Sequence, residues 1–85
     1  MKYELFVNPK VEKELSKIDN FMAVKIRDRI RALADDPRPF GSKKLKGHEN
    51  TYRERVGDYR IIYEIYDYRV LIMVINVGHR KDIYE

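Results

Sequence analysis

Cysteine is absent from these 85 residues, so no disulfide framework, thiolate metal centre or cysteine nucleophile is available. Histidine is scarce as well, and His48 and His79 alone are too few for a conventional zinc site. Long apolar runs are missing: the longest, Val70 to Ile75, falls far short of the ~18–20 residues a helix needs to span a bilayer. Met1-Lys2-Tyr3-Glu4 opens without the apolar stretch of a secretory signal. These absences point to a cytoplasmic, soluble protein that uses neither metal nor cofactor. The length allows a single domain, residues 1–85, with its functional site on a surface or in a shallow groove rather than in a buried chamber.

Charge is plentiful. Eighteen Lys and Arg oppose fourteen Asp and Glu for a net charge of +4, which suggests a polyanionic partner. The excess is unevenly placed. Residues 1–40 hold nine basic and seven acidic side chains, residues 41–60 six and three, and residues 61–85 three and four. The densest positive field therefore belongs to the twenty residues in the middle.

Residues 2–7 alternate, with Tyr3, Leu5 and Val7 on one side, as a strand requires. Asn8-Pro9 is the preferred pair for starting a helix, and Val11, Leu15 and Ile18 follow at helical spacing, which predicts a helix over about 9–18. Asp19-Asn20 breaks it and caps a second helix with Met22, Ile26, Ile30 and Leu33 on one stripe. Residues 35–50, with Pro37, Pro39, Gly41 and the lysines 43, 44 and 46, read as an exposed basic loop. Two alternating segments flank Gly57-Asp58 and form a β-hairpin. After a turn near Asp67, the apolar run 70–77 predicts a strand buried on both faces at the centre of a sheet. The order β-α-α-β-β-β makes an α+β fold, with an αα-hairpin packed on one face of a small, mostly antiparallel sheet.

The hairpin carries the chemistry. With Gly57-Asp58 as its two-residue turn, Val56 faces Tyr59, Arg55 faces Arg60, Glu54 faces Ile61, Arg53 faces Ile62 and Tyr52 faces Tyr63. The set Tyr52, Val56, Tyr59, Ile61 and Tyr63 wants the core, which gathers Arg53, Arg55 and Arg60 on the opposite face. Like charges directly opposed on paired strands cost about 0.2–1 kcal/mol. Each charge-assisted bond from Arg to a phosphate returns about 1.5–3 kcal/mol. The cluster therefore reads as an anion site. A chain leaving the last strand through Gly78 can bring His79, Arg80 and Tyr84 toward the same face, supplying groups able to move protons.

The segment Tyr52-Arg53-Glu54-Arg55-Val56-Gly57-Asp58-Tyr59-Arg60-Ile61-Ile62-Tyr63-Glu64-Ile65 and the terminal Asn76-Val77-Gly78-His79-Arg80-Lys81-Asp82-Ile83-Tyr84, in this element order, resemble the RelE/ParE toxin superfamily. The similarity spans nearly the whole chain, and its tail is most like the RelE-type mRNA interferases. The resemblance implies the toxin of a type II toxin–antitoxin pair. It implies a ribosome-dependent, metal-independent endoribonuclease that cuts messenger RNA in the ribosomal A site, the ribose 2′-hydroxyl attacking the adjacent phosphate.

Position by position, Arg60 and Arg80 match the family's phosphate-binding and acid-side arginines. Tyr84 matches its terminal catalytic tyrosine, and Arg53 and Arg55 occupy its two basic strand positions, where well-known relatives carry lysines. A guanidinium is a poor general base, which leaves Tyr84, the preferred candidate, or His79 for that role. Lys43, Lys44, Lys46 and His79 are the expected contacts to RNA. The implied partners are a cognate antitoxin, which would form a hetero-oligomer with the toxin, and the ribosome with its message, with no membrane involved. Two other readings stay open: a ParE-type poison of DNA gyrase, and a non-catalytic RNA-binding module that uses the same cations only to hold phosphate.

Overall fold

The computed structural model describes residues 2–83. Strand β1 (Glu4–Val7) leads into helix α1 (Pro9–Ser16), where the Asn8 side chain accepts the Lys10 backbone N–H at 3.0 Å and Pro9 takes the first turn. The helix stops two residues before its apolar spacing runs out, because the Lys17 N–H turns back onto the Glu14 and Leu15 carbonyls. Ile18 still packs against the core. Asp19 then caps α2 (Asn20–Ala32) by accepting the Met22 N–H at 3.1 Å. Among the described residues no helix is long and apolar enough to cross a membrane.

The remaining strands are β2 (Lys43–Lys44), β3 (Thr51–Val56), β4 (Tyr59–Tyr66) and β5 (Leu71–His79). They form one sheet in the order β1-β5-β4-β3-β2, antiparallel throughout except for β1 beside β5. The hairpin register is the predicted one at every position from Tyr52↔Tyr63 to Val56↔Tyr59. Val11, Leu15, Ile26, Ile30 and Leu33 from the helical side close over Val56, Ile61, Tyr63, Ile65, Ile72, Val74 and Val77, so both helices cover one face of the sheet.

Two expectations need correcting. The basic loop is not wholly irregular: Lys43 and Lys44 pair with Arg53 and Tyr52 and add a short edge strand. Strand β5 lies between β1 and β4 and is buried on one face only. Two helices cannot cover both sides of five strands, so Met73, which faces away from them, stays exposed while Ile72 and Val74 are buried. Its apolar run up to Ile75 also conceals a bulge. Ile62 pairs with Asn76 but Tyr63 with Val74, so the inward phase moves from 72 and 74 to 77.

The 36–40 loop is fastened at two points. Tyr63 donates its hydroxyl to the Pro37 carbonyl at 2.8 Å. Arg38 grips both oxygens of Asp67, at 2.7 and 3.3 Å, while Tyr3 donates to the same carboxylate at 2.7 Å. The hydrogen bonds from Arg38 and Tyr3 hold the Asp67 carboxyl below its ordinary value, and the Tyr3 hydroxyl is raised in return. After the 3₁₀ turn Asp67–Arg69, Val70 adopts φ 52°, a left-handed conformation that a β-branched residue strongly disfavours.

Two outcomes follow. Val70→Asn keeps the carbonyl that accepts the Glu4 N–H at 2.8 Å and relieves the strain, so unfolding in urea should show a gain of about 1 kcal/mol. A depressed carboxyl contributes stability above its unfolded value, 3.8, and loses it as pH falls through the lower folded value. Asp67→Asn should therefore lower the urea midpoint at pH 7, with the gap to wild type closing as the pH is taken progressively below 3.8.

Candidate nucleic-acid interface

Because both helices lie on one side, side chains that alternate away from the core collect on the opposite face of the sheet. Register fixes them in two rows. Arg55, Arg60 and Gly78 lie abreast across β3, β4 and β5, and the next row is Lys43, Arg53, Ile62 and Asn76. Directly opposed antiparallel residues bring their Cβ atoms to about 5 Å, so Arg55 and Arg60 are held as neighbours by the backbone itself. Glu64 shares this face four residues along β4 from Arg60, a distance of about 13 Å at strand rise. It accepts the Tyr66 hydroxyl at 3.0 Å. Among the described residues no carboxylate stands within ion-pair reach of Arg55, which is exposed.

Arg53 stays on this face but is 5% exposed, and its guanidinium donates to the Gly41 carbonyl at 3.3 Å. It fastens the lysine-bearing segment to β3 in addition to any part it plays with an anion. Lys43 stands opposite it in register, Lys44 alternates to the other side of β2, and Lys46 lies in the loop beyond. All three are exposed.

The end of β5 is tied to the hairpin tip. The Arg80 N–H donates to the Asp58 carbonyl at 2.8 Å, and its Nε lies 3.8 Å from the Asp58 carboxylate. Both side chains are solvated, so the ion pair is weak. His79 pairs with Tyr59, ring edge to ring face at 5.4 Å, so alternation puts it on the helical face and not, as expected, beside the arginines; its Nδ1 accepts the Lys81 N–H at 3.2 Å. Ile83 folds over Gly78, where a Cβ would meet it at 3.1 Å. A groove of about 350 Å³ opens beside this turn, between Lys17 and Ile18 just past α1 and Tyr59, His79 and Asp82. Tyr84, the expected catalytic tyrosine, lies outside the described residues.

Two features of the surroundings have no counterpart in the sequence reading. Glu14 of α1 accepts the Val77 N–H at 2.8 Å, satisfying the edge of β5 just past the end of β1. Glu54 sits on the helical face of β3 and bonds Arg29 of α2. Burial pushes its carboxyl above the ordinary range, and Arg29 offsets only part of that. The hairpin alternation did place Glu54 inward, and that was the available signal. A buried carboxylate needs a cation, and Arg29 lies on a helix whose distance from β3 the sequence does not give.

Comparison with known proteins adds an independent line. A family model described as the ParE toxin of type II toxin–antitoxin systems, parDE, matches residues 5–84. A protein named putative toxin RelE1 from Methanocaldococcus jannaschii is 29% identical, over 100% of this chain and 98% of its own length. The mRNA interferase toxin RelE of Escherichia coli K12 is 26% identical, over 95% of this chain and 86% of its own. The archaeal RelE in the RelE–RelB complex from Pyrococcus horikoshii superposes with a TM-score of 0.83 at 26% identity, covering 98% and 100% of the two chains.

A site made of opposed cations should be expendable for folding. Arg55→Ala relieves one like-charge contact, so thermal or urea unfolding should show stability unchanged or raised by about 0.2–1 kcal/mol. A loss above that range would show that Arg55 serves the fold rather than a ligand.

Proposed function

The chain belongs to the RelE/ParE family of type II toxin–antitoxin toxins, and we propose that it is a toxin of the ribonuclease kind, an enzyme that cleaves messenger RNA in the ribosomal A site. The observation that carries this reading is the row Arg55-Arg60 on the helix-free face, with Arg80 delivered to the same end of the sheet by the pairing of β5 to the hairpin tip. Cations set side by side repel one another, whereas a phosphodiester approaching its dianionic transition state gains from each of them.

In this mechanism Arg55 and Arg60 hold the non-bridging phosphate oxygens. The ribose 2′-oxygen attacks the adjacent phosphorus; its bond to phosphorus forms as the bond to the 5′-oxygen breaks, leaving a 2′,3′-cyclic phosphate and a 5′-hydroxyl. Arg80 stands on the leaving-group side, where charge develops on the 5′-oxygen. The 2′-hydroxyl proton passes to a general base, and a proton returns to the 5′-oxygen from the acid side. Tyr84 remains the preferred base. His79 is less suited, because the nitrogen with a free lone pair already accepts the Lys81 N–H. Arg53 supports the same positive surface from beneath the 41–43 segment, and Lys43 and Lys46 serve as contacts that position the RNA without reading its sequence, whereas Lys44 and His79 fall on the helical side of the sheet. No cofactor is assigned to this chemistry. The Pyrococcus horikoshii relative was crystallised with RelB, and we assign this chain a cognate antitoxin as its controlling partner and the cytoplasm, where ribosomes work, as its location.

The test is translation of a defined message in vitro with purified protein, followed by mapping of RNA 3′ ends. Wild type should give new ends within A-site codons. Arg60→Ala and Arg80→Ala should each lose about 10²–10³-fold in rate, the usual cost of removing one group that stabilises transition-state charge, while circular dichroism stays unchanged. RNA binding without cutting would support the binding-module reading instead. Inhibition of gyrase with translation intact would support the ParE-type reading.

A further inference from the structure

The helical side of β3 carries a charge that ribonuclease chemistry does not use. Glu54 lies between Tyr52 and Val56 on the face that α2 covers and is only 3% exposed. One of its oxygens bonds Arg29, and the other, Oε1, has no hydrogen-bond partner among the described residues. An acceptor left unbonded in a buried setting costs a fold the full desolvation of that group. A cavity of about 280 Å³ lies beside the carboxylate, lined by Arg29, Ala32, Leu33, Asp36, Pro39 and Glu54. Asp36 is close enough to add its own negative field to that of Glu54. Next in sequence to the lining residue Pro39, Phe40 stands wholly in solvent, 106% exposed.

We propose that this cavity is a binding site for one basic side chain of a partner protein, a lysine or arginine whose ammonium or guanidinium donates to Glu54 Oε1 while its methylene stem packs along the apolar wall. Charge decides the occupant. Two carboxylates against one guanidinium leave the lining at −1 on a chain of net charge +4, so the spot attracts a cation and disfavours the polyanion that the opposite face collects. Lysine and arginine carry donors only, which is what an acceptor with no partner requires. Size agrees, since the volume is at the small end of ligand pockets and suits a single side chain. An exposed aromatic beside a desolvated pocket is also the usual anatomy of a protein-binding hot spot.

The site is independent of the ribonuclease reading, and so is its test. Titration of n-butylguanidinium chloride into ¹⁵N-labelled protein, against sodium chloride at equal ionic strength, should give saturable shifts at the amides of Ala32, Leu33 and Glu54. Glu54→Gln should weaken binding at least fivefold. Asp36→Asn, at an exposed position, gives a second reading should the buried substitution disturb the fold, and it should weaken binding about twofold. Absence of saturable shifts, or equal affinity in wild type and both variants, would overturn the site. Shifts of the same amides by a short oligoribonucleotide would overturn it too, by assigning the surface to RNA. None of these measurements involves the ribosome, so their failure and that of the proposed enzymatic activity are separately visible.

Discussion

The turn between β3 and β4 constrains everything else. Gly57 adopts φ 60° while Asp58 does not take a positive value, the pattern of a type II′ hairpin turn. A Cβ at Gly57 would meet the Met22 side chain at 3.0 Å, so the glycine also lets the hairpin tip seat against α2. Strand side chains alternate, so a slip of one residue would send Arg53, Arg55 and Arg60 into the core and Val56, Ile61 and Tyr63 into water. Burying each of those three apolar side chains contributes about 1.5–3 kcal/mol. That outweighs the ~0.2–1 kcal/mol of repulsion the register imposes on the arginines, and the core compels the cations together.

This explains which parts were legible in the sequence. The hairpin could be paired residue by residue because its register depends on two local features, a Gly-Asp turn and a period of two. The caps at Asn8 and Asp19 were legible for the same reason, since each acts within three residues. What escaped depends on distance. The bulge that shifts β5 from an inward phase at 74 to one at 77 hides at the end of a run that is apolar from 70 to 75, where alternation leaves no mark. The pairing of Lys43 with Arg53 runs against charge and is held by backbone bonds that composition does not report. The burial of Arg53 depends on where the 41–43 segment comes to rest. Arg29 meeting Glu54 depends on how α2 crosses the sheet.

The ion pairs differ in kind according to the face they occupy. Arg80 and Asp58 are solvated and 3.8 Å apart, an arrangement that contributes little to stability. A phosphate offers Arg80 a stronger, charge-assisted contact, so the exchange costs the fold little. Arg29 and Glu54 sit where the carboxylate is shut away from water, and there removal of one partner leaves a charge uncompensated. Weak pairing can be exchanged for another partner at little cost to the fold. Burial suits a charge that must stay in place.

A net charge of +4 therefore averages over two surfaces of opposite character. The face that the helices leave bare concentrates arginine because its neighbours in register are a glycine and other cations, with its carboxylate set two rows away. The edge between α2 and the 36–40 loop holds Glu54 and Asp36 against a single arginine. The sheet itself separates them, since adjacent residues of β3 point to opposite sides and Glu54 lies between Arg53 and Arg55 in sequence. Opposite charges one residue apart are thus kept from neutralising each other by the pleat. Three consecutive positions of one strand thus present cations on one side of the sheet and a carboxylate on the other.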